Sequence, residues 1–186
     1  MAGTLVALLL GTVPLGALAA NEPYVVLVDS EKRQALLDSM ADALKQSGSY
    51  KVRTLPQRSG WVEEAMDLAL QQPDLVVAHF HALQSGKTSD RAAQEKLLRG
   101  MFKIQQQSPN TRFLIWSANF DEIGAEKAQA QIRAAALRVT KADQLPDSAY
   151  DPLRSRIQVM VLPQRLRAGA AMGGFTAAVT QALAKR

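Results

Sequence analysis

The sequence predicts an α/β fold, a doubly wound parallel sheet of five or six strands with helices on both faces. Three observations predict it. Continuous apolar runs rich in β-branched residues stand at residues 24–28 (YVVLV), 75–78 (LVVA) and 157–162 (IQVMVL), the pattern of strands buried on both faces. Between them lie segments whose apolar residues recur at steps of three and four, which is the helical period. The two kinds of segment alternate, and alternation of this kind gives parallel strands joined by right-handed crossovers.

Residues 24–28 form the first strand, closed by Asp29 and Ser30. Over residues 31–46 the side chains of Ala35, Leu36, Met40, Ala43 and Leu44 share a helical face, and Gly48 supplies the stop. Residues 50–55 read as a short second strand. The helical period returns over residues 61–71 through Val62, Ala65, Met66, Leu68 and Ala69, and Pro73, lacking an N–H, ends it. The third strand starts at Leu75 and brings His79 and His81 to its carboxyl end.

A polar loop over residues 84–90 leads into a helix over residues 91–107, with Leu97, Leu98, Met101, Phe102 and Ile104 on one side. Ser108-Pro109-Asn110 then turns the chain into a fourth strand at residues 113–116, ending at Ser117. A helix over residues 124–136 follows. Two segments compete for the fifth strand, residues 137–140 and the stronger run at 157–162, and both together would make six strands. Residues 170–184 close the chain as a helix through Phe175, Ala178, Val179 and Leu183.

Residues 1–20 carry no charge and end in small residues, Ala17-Leu18-Ala19-Ala20. They read as a secretory signal that lacks the usual basic start; the competing reading, a membrane anchor, meets Gly11, Pro14 and Gly16 within the run. That leaves residues 21–186 as one α/β domain, with no linker or repeat dividing them. With 47% hydrophobic and 21% charged residues it has the balance of a soluble globular protein. The absence of cysteine excludes disulfides, thiolate nucleophiles, lipid attachment at cysteine and cysteine-based zinc sites. An exported domain resting on its core alone suits a bacterial periplasm. The formal charge of +5 shows no basic run interleaved with aromatics, so it reads as solvated surface and excludes a nucleic-acid interface.

Four segments, taken together, resemble the receiver domain of bacterial response regulators, a flavodoxin-like doubly wound fold. Residues 27–31 (LVDSE) are similar to the acidic pair after its first strand, and residues 73–79 (PDLVVAH) to the strand leading to the phosphoacceptor. Residues 113–118 (FLIWSA) are similar to the strand ending in the switch hydroxyl, here Ser117, and residues 138–141 (RVTK) to the strand ending in the receiver lysine, here Lys141. The likeness spans residues 24–141. It departs where the chemistry is done: His79 stands in the place of the acceptor carboxylate, and Ser30 in that of the second acid. A receiver needs those carboxylates to form an acyl phosphate and to hold Mg²⁺, which prefers oxygen ligands. The resemblance therefore implies a receiver-like domain without ordinary phosphotransfer.

His79 and His81 are the two histidines of the chain, and on a strand residues two apart turn to the same side. His-x-His at a strand end is a metal-ligand pattern for Zn²⁺, Cu²⁺ or Ni²⁺, with Asp29 as a third ligand if the first and third strands are neighbours. Two strand-end histidines bonded to backbone or solvent explain the same letters, so no cofactor and no metal is assigned. Residues 86–88 (GKT) end like a phosphate-binding loop, but His81 replaces its first glycine. Asp29-Ser30 resembles the nucleophile block of SGNH-type esterases, yet no histidine lies beyond His81 to serve it; Ser30 as a helix N-cap accounts for it too. Trp61 and Trp116 read as core residues.

The expectation is an exported, non-catalytic receiver-like binding domain of the bacterial cell envelope. Its partner would be another envelope protein, and its binding surface the strand-end crevice of Asp29, Ser30, His79, His81, Ser117 and Lys141. The alternative is a metal-assisted or serine hydrolase using Asp29, Ser30, His79 and His81.

Overall fold

The computed structural model describes residues 22–57, 61–81, 89–162 and 171–184. The signal-like residues 1–20 and residues 82–88, which hold the GKT sequence, lie outside the described residues.

Five strands, β1 (Tyr24–Ser30), β2 (Lys51–Gln57), β3 (Leu75–His79), β4 (Arg112–Trp116) and β5 (Ile157–Met160), form one sheet in the order β2-β1-β3-β4-β5. Every pairing is parallel. This is the flavodoxin-like, receiver-like order, and its chain reversal falls between β1 and β3, where such folds place ligands outside the carboxyl ends of the strands.

The period of two along each strand sorts the core into two halves. Val26, Val28, Val76, Ala78, Phe113 and Ile115 point to one face, under α2 (Trp61–Gln71), α3 (Asp90–Gln107), α4 (Phe120–Ala142) and α5 (Tyr150–Arg156). Val25, Leu27, Leu75, Val77, Leu114 and Trp116 point to the other, under α1 (Gln34–Ser47) and α6 (Gly173–Ala184). Helices thus cover both faces, as the apolar runs require.

A few polar contacts lock this arrangement. The Trp61 indole N–H donates to the Leu97 carbonyl at 3.0 Å, tying α2 to α3. A Cβ on Gly100 would overlap that indole, so the absence of a side chain there lets the two helices close. Arg112 at the start of β4 donates to the carbonyls of Ala182 and Leu183, at 2.6 and 2.8 Å, the end of α6 where carbonyls lack helical partners.

The sheet differs from expectation at its carboxyl side. Residues 137–140 are helix, the last turns of α4, and only residues 157–160 form the fifth strand. The reason is periodic: Ala128, Ile132, Ala135, Ala136, Val139 and Thr140 are buried along one stripe of α4, so Val139 continues a helical face rather than opening a strand. The same helix starts earlier than its apolar stripe suggests, at Phe120, and kinks at Gly124, whose φ of 78° suits glycine. A short helix, α5, occupies the segment before β5. Among the described residues no helix is long and apolar enough to cross a membrane.

Candidate functional site

The register brings the predicted residues together. Val28 pairs with Ala78 and His79 with Trp116, so Asp29, His79 and Trp116 sit side by side where three neighbouring strands end. Asp29 is fully buried and His79 is 5% exposed. His79 Nδ1 lies 3.5 Å from Asp29 Oδ1, which also accepts the Ser30 backbone N–H at 2.7 Å. Asp29 Oδ2 is 4.0 Å from the Arg33 guanidinium. Among the described residues neither Asp29 Oδ2 nor His79 Nδ1 has a hydrogen-bond partner, and buried polar atoms in that state are uncommon in folded proteins.

Above this pair an aromatic and cationic rim closes the crevice. The Trp116 ring lies 4.5 Å from His79, centroid to centroid, and Arg33 sits 5.6 Å over the Trp116 ring, a cation–π arrangement. His81 follows β3 in a turn, half-buried, with its ring 5.7 Å from that of His79. Gln94 of α3 meets His81 Nε2 at 2.9 Å, and Ser117 Oγ meets its Nδ1 at 3.5 Å.

Burial dominates the electrostatics. It pushes the Asp29 carboxyl up to about 6, against the lowering pull of the Ser30 N–H and Arg33. His79 is pushed down to about 3, again chiefly by burial, with the charges of Arg33 and His81 acting in the same direction. At neutral pH the contact is therefore between an ionised carboxylate and a neutral imidazole, not a salt bridge. His81 is also lowered, first by burial; Asp90 opposes that and Arg33 adds to it.

Five of the six expected residues gather here; Lys141 does not. It lies exposed in the last turn of α4 rather than at a strand end, because the helical stripe carries through residues 137–140. β5 is followed instead by Val161 and Leu162. Ser30 does hold the N-cap position of a 3-10 turn, Glu31–Arg33, but its side chain makes no capping bond. Arg33, Trp116 and Gln94 enter the site unforeseen. The signal for Arg33 was its place four residues after Asp29, across a strand-to-helix turn.

The chemistry this set can do is narrow. Among the described residues no group of three His, Asp or Glu side chains is placed to hold a metal ion: His79 turns Nδ1 toward Asp29, and both nitrogens of His81 face protein groups. Gln94 and Ser117 each meet one ring nitrogen of His81, so both nitrogens are engaged within the protein.

Fold and site together define a flavodoxin-like, receiver-like α/β domain in which an aspartate–histidine pair stands at the β1–β3 switch point. No family model and no curated protein matches the chain. A solved structure to which it is similar is that of the response regulator RcsB of Salmonella typhimurium, described for its conformational dynamism in DNA interaction. The identity is 14%, the match covers 72% of this chain and 67% of that one, and the TM-score is 0.36. At that score the fold assignment rests on the strand order and register alone.

Proposed function

We propose that this chain is a receiver-like signalling or assembly domain that acts by binding, not by phosphotransfer, in the bacterial cell envelope. The observation that carries the reading is the state of the strand-end pair. The position that the resemblance gives to a phosphoacceptor holds His79, buried and neutral, and its acidic neighbour Asp29 is fully buried with the Arg33 guanidinium 4.0 Å away. A buried carboxylate without a second acid is a poor Mg²⁺ site. What remains accessible is a rim of Ser30, Arg33, His81 and Ser117, each partly exposed, suited to contact with a protein partner. The export of the protein to the periplasm rests on the uncharged, small-residue character of residues 1–20.

The competing hydrolase reading, metal-assisted or with Ser30 as nucleophile, uses the same crevice around Asp29, Ser30, His79 and His81. Burial pushes His79 down to about 3, which makes it a weak general base for Ser30. One experiment separates the two: a photo-crosslinking residue at Ser117, with a control at Lys45 on α1, in cells fractionated for periplasm and cytoplasm, beside an ester and phosphatase screen of the purified protein. A discrete envelope-protein adduct from Ser117 alone supports the binding role. Ester or phosphate-ester turnover that disappears in His79→Ala or His81→Ala overturns it.

A further inference from the structure

A second cavity lies away from the crevice, at the far edge of the sheet. Glu126, Gln129, Ala130 and Arg133 recur at three- and four-residue steps along one face of α4, and Tyr150 and Arg154 stand one turn apart on α5. With Ile132 and Ile157 they line a cavity of about 380 Å³. Ile157 opens β5, the edge strand two places from β3, and the cavity shares no lining residue with the crevice of Asp29 and His79. Its volume falls within the range of small-molecule sites, roughly 300–1,000 Å³.

Its charge distinguishes it. Arg53, Arg91, Arg99 and Arg138 each face a carboxylate. Arg133 and Arg154 line the cavity without an ion pair among the described residues, and both act electrostatically on the Tyr150 hydroxyl between them. Two guanidiniums against one carboxylate, Glu126, leave the cavity electropositive. A guanidinium presents a planar fork of donors that matches the two oxygens of a carboxylate or phosphate. The apolar part of the lining is the exposed Ala130 and the half-buried Ile157, backed by the buried Ile132 and Tyr150. An anion without an apolar body would leave that part wet, and an apolar molecule without charge would leave both guanidiniums unmatched.

We propose that the cavity between α4 and α5 binds a small organic anion, its oxyanion head held by Arg133 and Arg154 and its apolar body resting on Ala130 and Ile157. The test is amide NMR of the full chain titrated with phenylacetate, phenyl phosphate and the neutral phenylacetamide. Saturable shifts at Ile132, Tyr150, Arg154 and Ile157 are expected with at least one anion and not with the amide, and which anion binds tells carboxylate from phosphate. The double substitution Arg133→Gln with Arg154→Gln, both at exposed positions, should weaken binding at least about tenfold while the remaining amide spectrum stays dispersed. Shifts absent with both anions, equal with the amide, or unchanged in affinity in the double variant would overturn the proposal.

Discussion

Substituting Asp29 and His79 separately exposes two opposing proton linkages. Burial pushes the Asp29 carboxyl up to about 6 in the fold, from an ordinary value of 3.8, so between those values the folded state holds a proton that the unfolded chain has released. Folding is then favoured by acid: the charge on Asp29 costs stability above about pH 6, and the cost disappears as pH falls toward 4. At 1.36 kcal/mol per pKa difference of one, the full cost is ~3 kcal/mol. His79 runs the other way. Burial pushes it down to about 3, below its ordinary 6.5, so the unfolded chain binds the extra proton and stability is lost as pH falls through this window, by ~3 kcal/mol between about pH 6.5 and 4.

In the intact protein the two nearly cancel between about pH 6 and 4. Asp29→Asn keeps an oxygen for the Ser30 N–H and removes the buried charge, so it should be more stable than the parent by up to ~3 kcal/mol at about pH 8, with the advantage gone near pH 4. His79→Gln should show the mirror image, little advantage at about pH 8 and up to ~3 kcal/mol near pH 4. Urea denaturation across that range, read as differences between variant and parent, removes the contribution of all other groups. Difference curves that are flat with pH would refute the burial and pairing of Asp29 and His79.

Other perturbations test the frame around the site. Gly100→Ala places a methyl against the Trp61 indole and should cost about 1–3 kcal/mol by overpacking, or more if the indole loses its bond, read as a lowered thermal midpoint. Arg112→Ala removes two charge-assisted bonds to the end of α6; a loss of about 1–3 kcal/mol with faster hydrogen exchange confined to α6 is expected. Arg33→Ala takes away a cation that lowers both Asp29 and His79, so NMR titration should find both groups protonating at higher pH than in the parent.

Much of this architecture was readable in the sequence, and the reasons differ by element. Trp61–Gln71 was bounded by Pro73 and by a clean apolar stripe, and its limits agree with the structure. β1 and β3 were continuous apolar runs; their adjacency, which sets Asp29 beside His79, was a condition of a flavodoxin-like order and is met in the structure. The carboxyl side was less legible. Arg138, Val139 and Thr140 belong to a helical stripe begun more than two turns earlier, and a four-residue window cannot separate that from a strand. Lys141 was misplaced for that reason. Gln94 escaped notice because its part in the site depends on the angle at which α3 meets the sheet, which no spacing encodes, whereas Arg33 was marked only by its place four residues after Asp29.

Absence of phosphotransfer is read from the intact mass of the purified protein after incubation with acetyl phosphate and Mg²⁺. With His79 neutral and buried and Asp29 fully buried beside Arg33, the mass should remain that of the unmodified chain. A species heavier by one phosphoryl group, with the label mapped to Asp29 or His79, would contradict it.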